Sequence, residues 1–338
     1  MAQIKVGVIG FGYWGPNLSR NFHELPMSKL VAVADLSEDR LEQALIKYPQ
    51  LFVTRNYEEL FDLALDAVVI ATPPRLHYSI AKNCLNHNLN VLVEKPLTVN
   101  SEHAEELIEL AEKKNLTLMV GHTFKYNSAV HALKEYIESG DLGQIYYLDA
   151  ARLNLGLFQR DLDVLWDLAP HDISILLFLI GEQPVAISAQ GLRCVFNGIH
   201  DVAYINLMFP NNISAHIHVS WLDPCKVRRI TVVGAKKMAV YNDIETESKI
   251  KIYDKCVNAP EYTDNFGEFH CNYRTGDIII PNIRFIEPLR QECQHFIDCI
   301  INHTRPQSCG REGLNVVKIL EAAQHSLMNG NAQEVIRW

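Results

Sequence analysis

Apolar residues follow two regimes along this chain. From residue 4 to about residue 120, short β-branched runs alternate with segments in which apolar residues recur every three or four positions. The runs Ile4–Ile9, Leu30–Ala34, Phe52–Thr54, Ala67–Ala71, Val91–Val93 and Thr117–Val120 predict strands. The intervening segments Trp14–Leu25, Glu38–Lys47, Tyr57–Leu63, Leu76–Asn86 and Ser101–Lys114 predict helices. Ala67–Ala71 is apolar at every position, as expected for a strand covered on both faces. This alternation with short connections implies α/β architecture, a doubly wound parallel sheet.

Near residue 122 the regime changes. One helix, Ser128–Ser139, leads into longer runs rich in Val, Ile and Tyr: Ile145–Arg152, Val185–Cys194, Asp201–Phe209, Ser214–Trp221, Arg228–Val233 and Lys249–Tyr253. They are interrupted by a single apolar helix, Leu168–Ile180, and followed by helices Pro288–Asn302 and Arg311–Asn329. Successive strands without intervening helices pair antiparallel, so an α+β unit with a mainly antiparallel sheet is expected. Residues 255–282 are turn-rich and predict no regular element. With 338 residues the chain is long enough for two domains, expected at 1–122 and 123–338.

Composition narrows the partners. The chain has 31 Lys+Arg against 40 Asp+Glu, a net charge of −9. No basic run offsets that excess, so nucleic acid is not an expected partner. No stretch approaches the roughly 20 apolar residues of a bilayer span, and the N-terminus runs directly into a strand pattern rather than a secretory signal. Eight scattered cysteines without a Cys-x-x-Cys read as reduced thiols of a cytoplasmic protein.

Three motifs carry chemistry. Gly10-Phe11-Gly12-Tyr13-Trp14-Gly15 leaves the first strand and opens the first helix, so a pyrophosphate can sit on the helix N-terminus. Asp35 ends the second strand, 35 − 15 = 20 residues after the last glycine. A carboxylate there accepts from a ribose 2′-hydroxyl and repels a 2′-phosphate, which favours NAD over NADP. The plainer alternative is a structural glycine turn with Asp35 capping a helix. Glu94-Lys95-Pro96 follows a strand of the parallel sheet, where ligands bind outside the carboxyl ends. It could also be a surface lysine before a turn proline.

The third motif is Trp166-Asp167-Leu168-Ala169-Pro170-His171. An i,i+4 spacing puts Asp167 and His171 on one helix face. Pro170, tolerated in a helix's first turn, predicts that the pair lies at the helix N-terminus. Oxidising an alcohol to a ketone needs a base for the hydroxyl proton, which histidine suits, and a cation such as lysine to stabilise the developing alkoxide. The alternative is Asp167 as a cap and His171 as a core histidine. His216 and His218 share a sheet face without a third ligand, so no metal site is expected. Tyr136, Tyr146, Tyr147 and Trp221 read as core or sheet-face aromatics.

These motifs, with Ala71-Thr72-Pro73-Pro74-x-x-His77 and Val91-Leu92-Val93-Glu94-Lys95-Pro96-Leu97, resemble those of the Gfo/Idh/MocA oxidoreductase family over essentially the whole chain. The family's Asp-x-Gly-x-His falls on Asp167 to His171, with Ala169 where glycine is usual. The resemblance implies an NAD-binding Rossmann domain and a second domain whose open sheet builds dimers or tetramers. It implies a cofactor site of Gly10 to Gly15, Asp35, Thr72, Pro73, His77, Glu94 and Lys95, and a cis peptide before Pro96. It also implies Lys95 and His171 as catalytic residues, with Asp167 placing substrate or tuning the lysine. Arg152 to Gln159 and Val164 to Ser174 look most like nucleotide-sugar dehydrogenases of the UDP-N-acetylglucosamine 3-dehydrogenase type. His122, Tyr126, Asn127, Arg152 and Asn154 flank the expected cleft and could line a sugar or diphosphate pocket, though each has an equal structural reading. The first expectation is therefore oxidation of a sugar ring hydroxyl, at C3 of a UDP-linked amino sugar. The alternatives are a free-polyol dehydrogenase of the inositol type and a non-catalytic ligand sensor.

Overall fold

Short β-branched runs flanked by glycine, proline and asparagine become strands where both of their faces can be buried. In the computed structural model, which describes residues 3–156, 158, 162–258 and 272–338, six such runs form one wholly parallel sheet. The strands are β1 (Ile4–Ile9), β2 (Ser28–Ala34), β3 (Phe52–Thr54), β4 (Ala67–Ile70), β5 (Asn90–Glu94) and β6 (Leu118–Gly121). Their order is β3-β2-β1-β4-β5-β6, so the winding direction reverses between β1 and β4. In such sheets that reversal opens a crevice at the carboxyl ends of the strands. The connecting helices are α1 (Gly15–Glu24), α2 (Glu38–Lys47), α3 (His77–Asn86) and α4 (Ser101–Lys114). Tyr57–Leu63, expected as an ordinary helix, is a 3₁₀ helix ended by Ala64 at φ 46°.

Alternate residues of these strands enter two cores. Val6, Val8, Leu92 and Met119 pack with Leu18 and Phe22 of α1. Val68, Ile70, Val91, Val93 and Val120 pack with Ile80, Leu85 and Leu107 from α3 and α4. The first core also takes Leu289, Phe296 and Ile297 from α7 (Pro288–Asn302). The Phe296 ring meets Phe22 edge-on at 6.3 Å. Consequently residues Ile286–Lys318 belong to the first compact unit with everything up to Tyr126, and the second unit comprises Asn127–Phe285 and Ile319–Trp338. That division differs from a single boundary at 122. The cause is the apolar face of α7, which has its partners some 270 residues back in the chain.

The second unit is built on a nine-stranded sheet ordered β14-β13-β12-β11-β7-β10-β9-β8-β15. Its strands are β7 (Ile145–Leu155), β8 (Ala186–Leu192), β9 (Val202–Met208), β10 (Ser214–Ser220), β11 (Leu222–Gly234), β12 (Met238–Asn242), β13 (Ile250–Asn258), β14 (Asn272–Ile279) and β15 (Glu334–Val335). Pairing is antiparallel except between β7 and β10. Helices α5 (Ser128–Glu138) and α6 (Val164–Ile180) pack with these strands, and α8 (Gly310–Met328) runs from one unit into the other. Three strands went unread in the sequence. β12 has only five residues and β15 only two, too few for a clear alternation, and β14 lies in the stretch expected to be turn-rich, of which 259–271 fall outside the described residues.

Helix α6 departs from expectation in a way that matters. It starts at Val164, four residues before the expected Leu168, because Asp163 caps it by accepting from the Trp166 N–H at 3.2 Å. Pro170 therefore sits inside the helix rather than in its first turn, and Asp167 is not the cap. Among the described residues no helix is long and apolar enough to cross a membrane, and the seven described cysteines are free thiols.

Candidate active site

The glycine loop is held by backbone fit. Gly10 has φ +96°, and a Cβ there would lie 2.6 Å from the Ala71 carbonyl oxygen, so only glycine lets β1 turn this close to the end of β4. A Cβ on Gly15 would collide with the Gly10 carbonyl, whereas Gly12 faces no atom nearer than 3.7 Å. The cradle is open at its middle glycine. Phe11 is buried in the core below, Tyr13 is exposed, and Trp14 precedes the first turn of α1.

Asp35 is more than a helix cap. Its Oδ2 accepts from the Phe11 N–H at 2.6 Å, which locks the glycine loop to the end of β2. Its Oδ1 accepts from Ser37 N at 2.9 Å, and Arg40 Nη1 lies 3.4 Å from Oδ2. At the end of β4 the buried Thr72 hydroxyl oxygen has no hydrogen-bond partner among the described residues, while Pro73 beside it is exposed. An open cradle, an anchored carboxylate and an unsatisfied hydroxyl at one end of the sheet fit a bound dinucleotide.

His77 is a strut rather than an open ligand. Its ring is fully buried, and the two nitrogens lie 2.8 Å from the carbonyl oxygens of Pro96 and Thr72. It thereby ties the β4 loop to the Lys95–Pro96 segment, whose peptide bond is cis. Burial pulls the imidazole pKa down while both carbonyls oppose the shift. Glu94 is buried at the end of β5, and burial pushes its carboxyl up to about 7 against the opposing Lys95 charge. Lys95 is half-buried. His122, just after β6, is 1% exposed with neither ring nitrogen partnered among the described residues, and burial lowers it to about 3, so it is neutral at physiological pH. Tyr126 is interior: its hydroxyl pairs with Ser308 Oγ at 2.9 Å.

In the second unit, Asp167 and His171 lie one turn apart and half-buried on α6. The Trp221 indole N–H donates to Asp167 Oδ2 at 3.1 Å. Trp221 is 1% exposed and had read only as a core aromatic. Arg152 does not present an open guanidinium. Its Nε and Nη2 donate to Asp172 Oδ2 and Oδ1 at 2.7 and 3.0 Å, a buried two-pronged pair that anchors the residue following His171 to β7. Asn127 caps α5 through Ala129 N and donates to the Tyr241 hydroxyl. Asn154 is half-buried on β7. The structure thus gives Tyr126, Asn127 and Arg152 interior partners and leaves Lys95, Asp167 and His171 partly accessible. A separate cavity of about 700 Å³ opens at the amino ends of β5 and β6, near Asn90, Thr117 and Arg305, at the opposite end of the sheet from Lys95.

A strand-glycine-helix cradle with a carboxylate 20 residues on is the arrangement by which a doubly wound sheet binds a dinucleotide. Two family models match: the oxidoreductase family NAD-binding Rossmann fold over residues 4–122, and the GFO/IDH/MocA C-terminal domain over 130–240. A UDP-N-acetylglucosamine 3-dehydrogenase from Acidithiobacillus ferrooxidans is 31% identical over 242 residues, covering 71% of this chain and 74% of its own. Its solved structure superposes with a TM-score of 0.78 at 24% identity, over 98% of this chain and 100% of that one. The NAD-dependent scyllo-inositol 2-dehydrogenase of Bacillus subtilis is 23% identical over 97% of this chain and 95% of its own. GenD2 from gentamicin A biosynthesis, solved in complex with NAD, shares the fold with a TM-score of 0.83 at 20% identity, over 100% of this chain and 97% of that one. The chain belongs to the Gfo/Idh/MocA family of oxidoreductases and carries that family's NAD-binding Rossmann domain.

Proposed function

We propose that the protein oxidises a ring hydroxyl of a nucleotide-linked sugar to a ketone, at C3 of a UDP-linked N-acetylamino sugar. The observation that carries this reading is the 31% identity, across 71% of the chain, with a UDP-N-acetylglucosamine 3-dehydrogenase. Asp35 and the glycine cradle would hold the adenosine ribose and the pyrophosphate of NAD, which would supply the hydride acceptor for the reaction. His171 takes the hydroxyl proton on a ring nitrogen, and the Lys95 ammonium donates to the substrate oxygen as it gains alkoxide character. Asp167, fixed by the Trp221 N–H, orients the substrate, and the Arg152–Asp172 pair sets the rotation of α6 that presents His171.

A free polyol is the second reading, favoured by the inositol dehydrogenase that aligns with nearly the whole chain. One experiment separates them. Enzyme and NAD are incubated with a panel of UDP-sugars, free sugars and inositols, and products are read by mass spectrometry. Loss of two hydrogens from a UDP-N-acetylamino sugar, with NADH formed in equal amount, is the expected result. Oxidation of free polyols alone would replace the first reading by the second. Ligand binding without turnover of any compound would make the chain a sensor.

A further inference from the structure

The cavity at the amino ends of β5 and β6 lies wholly within the first unit and takes no part in the dehydrogenase chemistry. Its volume of about 700 Å³ is that of a small-molecule site, for which roughly 300–1,000 Å³ is usual. The floor is apolar. Ile108 and Ala111 of α4, Leu118 of β6 and Cys309 are all buried there, with Ile300 of α7 on the wall. Helix α8 begins as bare backbone against this floor, since a Cβ on Gly310 would lie 2.9 Å from both Ile108 Cγ1 and Leu118 Cδ2. The positive end of a 19-residue helix therefore opens at the cavity.

The charges around the rim are unequal. Arg311 Nε and Nη2 donate to the two oxygens of Glu112 at 2.9 and 3.0 Å, so that pair is closed on itself. Arg305 is not closed in this way. Its Nε donates to Cys309 Sγ at 3.0 Å, which pins the base of the guanidinium to the cavity wall. Among the described residues no carboxylate forms an ion pair with Arg305. The two acids whose fields reach it are engaged elsewhere, Glu312 by Lys125 at 2.9 Å and Glu112 by Arg311. The Asn90 amide is also spent, donating to the Asp66 carbonyl and accepting from the Thr117 N–H. In a chain of net charge −9, an uncompensated guanidinium over an apolar floor, beside a helix N-terminus, attracts an anion.

We propose that this cavity binds a small organic acid, with its carboxylate on the terminal nitrogens of Arg305 and its apolar body on Ile108, Leu118 and Ile300. The guanidinium fork matches the two oxygens of a carboxylate. A bare inorganic anion would leave the apolar floor unfilled, and an uncharged molecule would leave the cation uncompensated. Asn90 opens β5 and Leu118 opens β6, whereas Lys95 and His122 follow the other ends of those strands. The site is thus separate from the cofactor cradle, and its occupancy does not depend on the sugar assignment.

The test titrates the full chain, ¹³C-labelled at Ile and Leu methyls, with sodium benzoate, with benzamide and with inorganic phosphate. Benzoate is expected to shift the Ile108, Leu118 and Ile300 methyls saturably, with benzamide and phosphate each weaker on the order of ten-fold. Arg305→Gln, which removes the charge, should weaken benzoate on the order of ten-fold and leave benzamide unchanged. Thr304→Trp, at the exposed mouth, should abolish the shifts altogether. Calorimetric titration of both variants with NAD should match wild type, which also shows that they fold. The proposal is overturned if benzoate gives no saturable shift at these methyls, or if benzamide or phosphate binds as tightly. Unchanged benzoate affinity in Arg305→Gln overturns it equally. Should Thr304→Trp not fold, the comparison of benzoate with benzamide on wild type and Arg305→Gln still decides.

Discussion

The two units treat their buried polar groups differently. In the first, burial shifts Glu94, Glu292 and His122 toward their neutral forms, although the buried Lys125 ammonium pairs with Glu312. The second pairs them, with Arg152 and Asp172 in a two-pronged bond and Asp167 held by an indole N–H. The first arrangement is sensitive to pH because a single proton decides each group's charge. The second is sensitive to truncation, because removing one partner leaves the other charge buried alone.

The largest expected effects test whether both units contribute to one chemistry. Lys95→Ala and His171→Ala should each lower kcat by a factor on the order of 10² or more while NAD binding persists. Steady-state kinetics with calorimetric NAD titration would show it, and near-wild-type turnover in both variants would remove them from the mechanism. Next comes Asp172→Ala, which strands the buried Arg152 guanidinium and should cost about 3–5 kcal/mol of stability. A calorimetric or denaturant measurement giving under about 1 kcal/mol would mean that the second unit does not depend on pairing.

A pH experiment probes the first unit. Glu94 ionises near 7 in the folded chain against an ordinary 4.5, so its protonated form stabilises the fold below about 4.5. That contribution is lost as pH rises through 7. Glu94→Gln should therefore gain about 3 kcal/mol over wild type at pH 8, and the gain should vanish by pH 4. A difference independent of pH would contradict a neutral buried carboxyl. The smallest effect is expected of Trp221→Phe, which removes the donor to Asp167 while preserving ring packing. A loss of about 1 kcal/mol in transition-state stabilisation, read from kcat/KM, matches one hydrogen bond. An unchanged kcat/KM would leave Asp167 oriented by other contacts.

Much of the site was legible in the sequence wherever its parts are neighbours in the chain. The glycine loop, Asp35 and Glu94-Lys95-Pro96 all sit at strand ends whose periodicity is local. Helix α7 shows what was not legible. Its amphipathic pattern announces a helix, but nothing in residues 288–302 says that its apolar face packs on Phe22, or that Glu292 reaches Thr123. Trp221 and Asp167 are 54 positions apart, and neither carries a local sign of the other. For Arg152 a pocket role and a structural one stayed equal in the sequence, because its partner, Asp172, is 20 residues away on a different element. Pro170 misled for a different reason. The rule confining it to a first turn was overruled by the Asp163 cap and by burial of Ile173 to Leu177 along α6.

By itself the sequence determined the parallel alternation and the glycine cradle at the end of the first strand, because these depend on backbone periods and spacings within a few tens of residues. Tertiary structure alone decided which unit α7 joins, which charges are paired, and which carboxyls are forced to keep their protons. Those outcomes depend on desolvation and on partners far away in sequence, quantities that no local pattern encodes.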